Sequence, residues 1–146
     1  MWIFKNSKRD DLIEKYELVP FNIEVQRLER TFIDKVFAIC YYYILKKTRN
    51  SRHIYDIYKI LPNIDLNNEN MKKFVEEIRQ IRKKNKNCVT AKDDADINKI
   101  LKEIIDSKYY KTDFNKVTSL LLTKSVSYDE AISSIYKVID SKVFEK

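Results

Sequence analysis

The sequence of 146 residues contains no glycine. Average usage near 7% would place about ten glycines in a chain of this length. Glycine supplies positive-φ turns and the close backbone approach of phosphate-binding loops. The chain therefore cannot carry a Walker A loop, a dinucleotide-binding fingerprint or a glycine-turn metal-binding core. The absence also favours helices, which use glycine mainly at their C-caps.

Cysteines and long apolar runs are also scarce. Cys40 and Cys88 are the two cysteines, too few for a disulfide framework or a closed zinc site. The longest apolar run, residues 36–45, is too short to span a bilayer, and no secretory signal pattern occurs at the start. We therefore expect a protein of the reducing cytoplasm with no membrane association.

The formal net charge of +7 is unevenly placed, since the whole excess lies before Lys92. One interpretation is a surface for phosphate or nucleic acid. The other is that a chain rich in Lys, Asn, Ile and Tyr has solvated basic faces as a by-product, and both stay open. The first basic cluster comprises Lys46, Lys47, Arg49 and Arg52, and the second comprises Arg79, Arg82, Lys83, Lys84 and Lys86.

The hydrophobic periodicity predicts a mainly α fold, an antiparallel bundle of about five to six helices with one short N-terminal extended segment. Residues 8–17 are typical of a short helix, and residues 21–25 alternate like a strand. Six longer stretches place apolar residues at helical spacing. They are residues 28–45, 51–61, 69–84, 94–107, 113–123 and 128–144.

Three local patterns refine these helices. Thr31 followed by Asp34 resembles a capping box, which would start the first regular helix there. Ser51 is an expected N-cap for the second helix. The fifth helix should place four apolar residues in the core, namely Phe114, Val117, Leu120 and Leu121.

Taken alone, the charged residues of the first two helices are ordinary. Lys35 lies beside the apolar stripe, where its stem can pack while its ammonium reaches a cleft. Asp56 lies one turn after Arg52 and three residues before Lys59, which favours helix ion pairs worth about 0.3–0.5 kcal/mol each. His53, the one histidine, is more typical of a packed or solvated residue than of a ligand.

The order of residues in this segment is more specific than its spacing. Residues 28–39 (LERTFIDKVFAI) and 51–58 (SRHIYDIY) resemble the two C-terminal motifs of the AbiEii/AbiGii toxin family of nucleotidyltransferases. The family pattern is roughly R-T-F-x-[ED]-K-x-x-A, a variable interval, then S-R-H-x-Y-D-[LI]-Y. A weaker likeness continues through residues 75–79, 88–91 and 127–132, so it covers most of the chain from Asp11 onward.

The resemblance implies a toxin–antitoxin or abortive-infection nucleotidyltransferase that uses Mg²⁺ and a nucleoside triphosphate. The lysine matching Lys35 is taken to contact the triphosphate, which suits its compact charge. The aspartate matching Asp56 completes the catalytic constellation, where it could orient or deprotonate the acceptor hydroxyl or help hold metal. Arg52 could pin Asp56 or bind a phosphate of the nucleotide, and the two roles are not separated.

One departure from the family limits this implication. The family's glycine-serine turn and metal-binding acidic pair belong upstream of residue 28, where this chain has no glycine. The aspartates at 93, 94 and 96 lie downstream of both motifs, where the helix macrodipole explains acidic residues, so no metal ligand is assigned. We expect residues 1–27 to be a remnant or linker and residues 28–146 a helical C-terminal domain.

The leading hypothesis is therefore a truncated AbiEii-like protein that holds no cofactor alone and is inactive by itself. It could be a gene remnant, a fragment or half of a split enzyme, and its partner would be a cognate antitoxin or the missing catalytic half. Two alternatives are a small basic helical module that binds RNA and an oligomerising domain that dimerises through surface left exposed by the missing half.

Overall fold

A computed structural model describes residues 15–16 and 25–145 of the chain, and over these residues it contains six α-helices and no strand. The mainly helical bundle predicted from the periodicity is confirmed. The predicted helix at 8–17 and strand at 21–25 lie, apart from their ends, outside the described residues. The helices are α1 (Leu28–Ile44), α2 (Arg52–Ile60), α3 (Glu69–Lys83), α4 (Ile97–Asp106), α5 (Lys111–Lys116) and α6 (Tyr128–Asp140).

Helix α1 lies at the centre of the bundle and packs against α2, α3 and α4, while α6 packs against α2 and α4. The rings of Phe32 and Phe37 on α1 each meet the ring of Phe144, with centroids 6.2 and 5.8 Å apart. The α1 stripe is fully buried over Phe32, Ile33, Val36, Phe37, Ile39 and Cys40. In the described part of the chain, no helix combines the length and apolar character that a bilayer crossing requires.

Helix α1 starts three residues earlier than the predicted capping box. Thr31 lies inside the helix and donates its hydroxyl to the Arg27 carbonyl at 3.3 Å. The Asp34 carboxylate accepts instead from Arg30 on its own helix and from Arg82 on α3. The capping-box prediction is wrong because a carboxylate gains more from two guanidinium groups than from a helix N-terminus.

Ser51 occupies the N-cap position of α2, as predicted, but its side chain does not cap the helix. Its hydroxyl lies 2.7 Å from that of Thr118, and both residues are buried. Its backbone N–H donates to the Asp113 carboxylate at 3.2 Å. Ser51 therefore joins the start of α2 to the segment that contains α5.

The fifth helix is shorter than predicted and its apolar face is rotated. Helix α5 ends at Lys116, and a 3₁₀ turn covers Thr118–Leu121. Phe114 is buried as predicted, but Val117, Leu120 and Leu121 are 50%, 78% and 74% exposed. The prediction that these three residues lie in the core is wrong. Thr118 is the buried residue of this segment, with its hydroxyl next to that of Ser51, and the 3₁₀ turn has three residues per turn, so the neighbouring apolar residues face solvent.

Three lysines take the place of glycine at helix C-termini. Lys46, Lys108 and Lys142 have φ values of 56°, 49° and 56° and follow α1, α4 and α6. Left-handed residues are usual at this position, and glycine is the residue that adopts it without steric cost. The chain therefore terminates its helices in the ordinary way but accepts backbone strain at these positions.

Candidate functional site

The two residues singled out by the sequence motifs meet in the structure. Lys35 on α1 and Asp56 on α2 form an ion pair, with Nζ 2.8 Å from Oδ2. Their side chains are 24% and 29% exposed, so solvent still reaches both. Within the described residues Asp56 forms no ion pair with Arg52 or Lys59, and its partner comes from the neighbouring helix instead.

The packing of α1 on α2 explains this meeting. Val36 and Ile39 on α1 and Ile54 and Ile57 on α2 are completely buried. Each charged residue is the direct neighbour of one of these core residues, and it therefore lies at the edge of the seam rather than inside it. The ion pair closes one side of the seam.

Two rings complete the site, which we call the Asp56 cluster: Lys35, Tyr42, His53 and Asp56. The His53 Nδ1 atom lies 3.5 Å from the same Asp56 oxygen that Lys35 contacts. The Tyr42 ring stacks on the imidazole at 5.8 Å with an interplanar angle of 6°. Sequence reasoning missed this ring pair, although Tyr42 follows Lys35 by seven residues and His53 precedes Asp56 by three, each on one helix face.

The surroundings keep Asp56 ionised. Burial raises the pKa of its carboxyl, but the neighbouring His53 and Lys35 side chains outweigh burial, and the pKa lies below its ordinary value. At neutral pH the Asp56 side chain is therefore a carboxylate. It can accept a proton or a hydrogen bond, and it cannot serve as a proton donor.

The first basic cluster borders the Asp56 cluster. Lys46, Lys47, Arg49 and Arg52 are all exposed, and the Lys47 ammonium lies 6.0 Å from the centroid of the Tyr42 ring. Arg52 precedes His53 on α2 and forms no ion pair within the described residues. Its guanidinium is therefore open to solvent near the cluster.

The second basic cluster is largely engaged in contacts within the protein. Arg79 is 2% exposed, and Arg82 holds one oxygen of Asp34 with two N–H groups at 2.7 and 3.2 Å. Lys83 pairs with Asp93. Only the last two lysines of this cluster are exposed, so it offers much less free charge than the first.

The described residues do not fit a magnesium ion. Over 15–16 and 25–145, no group of three or more His, Cys, Asp and Glu side chains is placed to hold a metal. Mg²⁺ prefers several oxygen ligands, whereas Asp56 is the one carboxylate of its cluster and already faces an ammonium. Asp96 caps α4 by accepting from the Lys99 backbone N–H at 3.0 Å, which is the helix-end role expected for this acidic stretch.

The Asp56 cluster is partly exposed at the edge of the α1–α2 seam. Four cavities of about 220 to 510 Å³ occur elsewhere, and neither Lys35 nor Asp56 lines them. The one of 450 Å³ lies between the start of α1 and the start of α3, lined in part by Glu29, Asn68 and Phe74. These four cavities therefore do not include the Asp56 cluster.

Comparison with known proteins identifies a family. A family model described as "Nucleotidyl transferase AbiEii toxin, Type IV TA system" matches residues 7–134. This range includes both motifs and all four residues of the Asp56 cluster. No curated protein and no solved structure matches the chain.

Proposed function

The chain belongs to the AbiEii nucleotidyl transferase toxin family, and on that premise we propose that Lys35 and Asp56 form one half of a nucleotidyl-transfer site. One observation carries the proposal. The two residues lie in separate motifs, 21 positions apart (56 − 35), yet their charged atoms are 2.8 Å apart in a partly exposed ion pair.

Lys35 is proposed to bind the triphosphate. In nucleotidyl transfer an acceptor hydroxyl oxygen forms a bond to the α-phosphorus while the bond to pyrophosphate breaks. Negative charge grows on the phosphate oxygens, and a positioned cation stabilises it. The four-carbon stem of Lys35 allows its ammonium to turn from Asp56 towards a phosphate resting on the α1–α2 seam.

Asp56 is proposed to act on the acceptor. As a carboxylate it can accept the hydrogen bond of the attacking hydroxyl, which orients it, or take its proton. Arg52, exposed on the same helix, is proposed to bind a phosphate. Its other suggested role, pinning Asp56, has no support from the described contacts, because Lys35 and His53 occupy the carboxylate.

The metal is proposed to come with other residues. A divalent cation would neutralise the triphosphate during transfer, and the described residues do not provide its ligands. We therefore infer that this chain alone does not transfer nucleotides, and that carboxylates supplied by another chain complete the site. Membership in a type IV toxin–antitoxin family also implies a cognate antitoxin as partner.

The experiment measures binding of inorganic tripolyphosphate by calorimetry, for the wild type and for Lys35→Ala. Lys59→Ala is the matched control, because Lys59 is exposed on α2 and forms no ion pair within the described residues. We expect Lys35→Ala to lose at least about tenfold in affinity, the effect of one phosphate contact, and the control to change little. Equal binding by both variants would overturn the proposed role of Lys35.

Activity is tested separately with labelled nucleoside triphosphates, Mg²⁺ and tRNA. We expect no transfer by the chain alone. Robust transfer that disappears in Lys35→Ala would support the site but contradict the inferred inactivity.

A second candidate function is RNA binding, favoured by the four exposed cations of the first basic cluster beside Tyr42. Phosphate contacts release counterions, so affinity should fall steeply between 50 and 200 mM salt. Charge reversal at Arg49 should weaken binding, whereas reversal at Lys86 in the second cluster should matter less. Absence of binding at low salt would rule this function out.

A further inference from the structure

We propose that His53 is the positioning residue that holds Asp56 when Lys35 turns to a phosphate. The inference rests on the proposed function and extends it, because it names the group that keeps the acceptor-binding carboxylate in place. No motif assignment gives His53 this role. One oxygen of the Asp56 carboxylate lies close to both Lys35 and His53.

Asp56 Oδ2 is the shared atom. It has the Lys35 ammonium at 2.8 Å and the His53 Nδ1 at 3.5 Å. Both Oδ2 and Nδ1 are shielded from solvent, and among the described residues neither makes a well-aligned hydrogen bond. The imidazole is therefore close enough to form a hydrogen bond with the carboxylate after a small movement, but it does not form one while the Lys35 ammonium is present.

The two nitrogens differ in freedom. The Lys35 ammonium ends a flexible stem and can leave with little strain. The His53 ring is 15% exposed, stacks on Tyr42 and sits one turn from Asp56 on the same helix. Departure of Lys35 would leave a half-buried carboxylate without a cation, a state that costs free energy unless another donor takes its place. His53 is the group placed to do so.

This arrangement makes a specific prediction about phosphate affinity. Loss of the His53 donor should cost more in the phosphate-bound state, where Asp56 depends on it, than in the free state, where Lys35 remains. His53→Asn keeps a donor near the Nδ1 position, and His53→Phe keeps a ring for Tyr42 but has no donor. If His53 only packs against Tyr42, His53→Phe should behave like the wild type. If His53 positions Asp56, His53→Asn should do so instead.

The experiment compares tripolyphosphate binding by the wild type, His53→Asn and His53→Phe, with thermal unfolding recorded for each. We expect His53→Phe to bind about three- to tenfold more weakly, the effect of one hydrogen bond to a charged group. His53→Asn should stay within about twofold of the wild type. Equal weakening of both, or no change in either, would overturn the inference.

A second measurement needs no variant of His53. The chain has one histidine, so its imidazole C–H signals in an NMR spectrum report on His53 alone. We expect tripolyphosphate to shift these signals in the wild type but not in Lys35→Ala; unmoved signals in a wild type that binds would overturn the inference. If Lys35→Ala loses tripolyphosphate binding and His53→Phe binds as tightly as the wild type, the proposed function stands and the inference about His53 is wrong. If Lys35→Ala binds as tightly as the wild type, both the proposed function and the inference are wrong.

Discussion

Asp34 and Asp56 are two carboxylates on the edges of the same bundle, and their partners differ in kind. Asp34, at the α1–α3 seam, accepts from Arg82, Arg30 and Gln26 at 2.7 to 3.2 Å. Asp56, at the α1–α2 seam, faces one lysine and one histidine. Both have a pKa below the ordinary value, because their partners outweigh the effect of burial.

The difference lies in how easily each partner can leave. The planar guanidinium of Arg82 holds Asp34 with two donors, a geometry that is rigid and specific. The ammonium of Lys35 is a single charge on a flexible stem. We infer that the α1–α3 seam stabilises the fold, whereas at the α1–α2 seam Lys35 can leave Asp56 for a phosphate. Asp34 and Lys35 differ in this way although they are neighbours in the sequence.

The largest expected effect is on stability. Asp34→Ala should lower the free energy of unfolding by about 2 kcal/mol, because it strands two half-buried arginines. Asp56→Ala should cost less than about 1 kcal/mol, because Lys35 can turn to solvent. Chemical denaturation of both variants measures the difference, and equal costs would remove the contrast between the seams.

Acid should reduce that contrast. Each carboxyl has a folded pKa below its unfolded value of about 3.9, so its contribution to stability is present above that pH and is lost as pH falls through the folded pKa. Denaturation of the wild type and Asp34→Asn from pH 7 to pH 2 should show two curves that converge at low pH. A constant separation would mean that the charge of Asp34 is not what stabilises the seam.

A smaller effect concerns phosphate. Asp56→Asn removes the charge that competes for Lys35, so tripolyphosphate should bind about threefold more tightly, a modest screened electrostatic gain. Asp34→Asn, on the other seam, should leave the affinity unchanged. Weaker binding by Asp56→Asn would indicate that Asp56 orders Lys35 for the ligand rather than competing for it.

The smallest effect serves as a control outside both seams. Lys108→Gly should stabilise the protein by about 0.5 kcal/mol, because relief of the left-handed backbone exceeds the added entropy of the unfolded chain. Thermal unfolding checks the sign. Phosphate affinity should not change, since Lys108 follows α4 and is not one of the four residues of the Asp56 cluster.

Much of the helical framework was predictable, and the errors occur where side chains from distant segments meet. The stripe of Phe32, Val36 and Ile39 was predicted from its spacing and is fully buried. The capping box at Thr31 failed because Arg82, 48 residues beyond Asp34, competes for the carboxylate. The prediction of the buried face of the fifth helix failed because the hydroxyls of Ser51 and Thr118, 67 residues apart, form a hydrogen bond.

Only two of the four residues of the Asp56 cluster were singled out from the sequence. Motif resemblance singled out Lys35 and Asp56, and spacing explained Asp56 only as a partner of Arg52 or Lys59. No local pattern indicates that Lys35 is its partner, because the contact crosses from one helix to another. The stacking of Tyr42 on His53 also crosses from one helix to the other. Sequence spacing shows which residues share a helix face, but it does not show which faces contact each other.

The sequence by itself determined the helical class, the buried stripe of α1, the family and the two residues proposed for the site. These follow from periodicity and from residue order, which are properties of short segments. The tertiary structure alone decided which charge meets which carboxylate, since it places Asp34 against two arginines and Asp56 against Lys35 and His53. The reason is physical: the strength of an ion pair depends on the distance, burial and rigidity of its partners, and these exist only once the helices have packed.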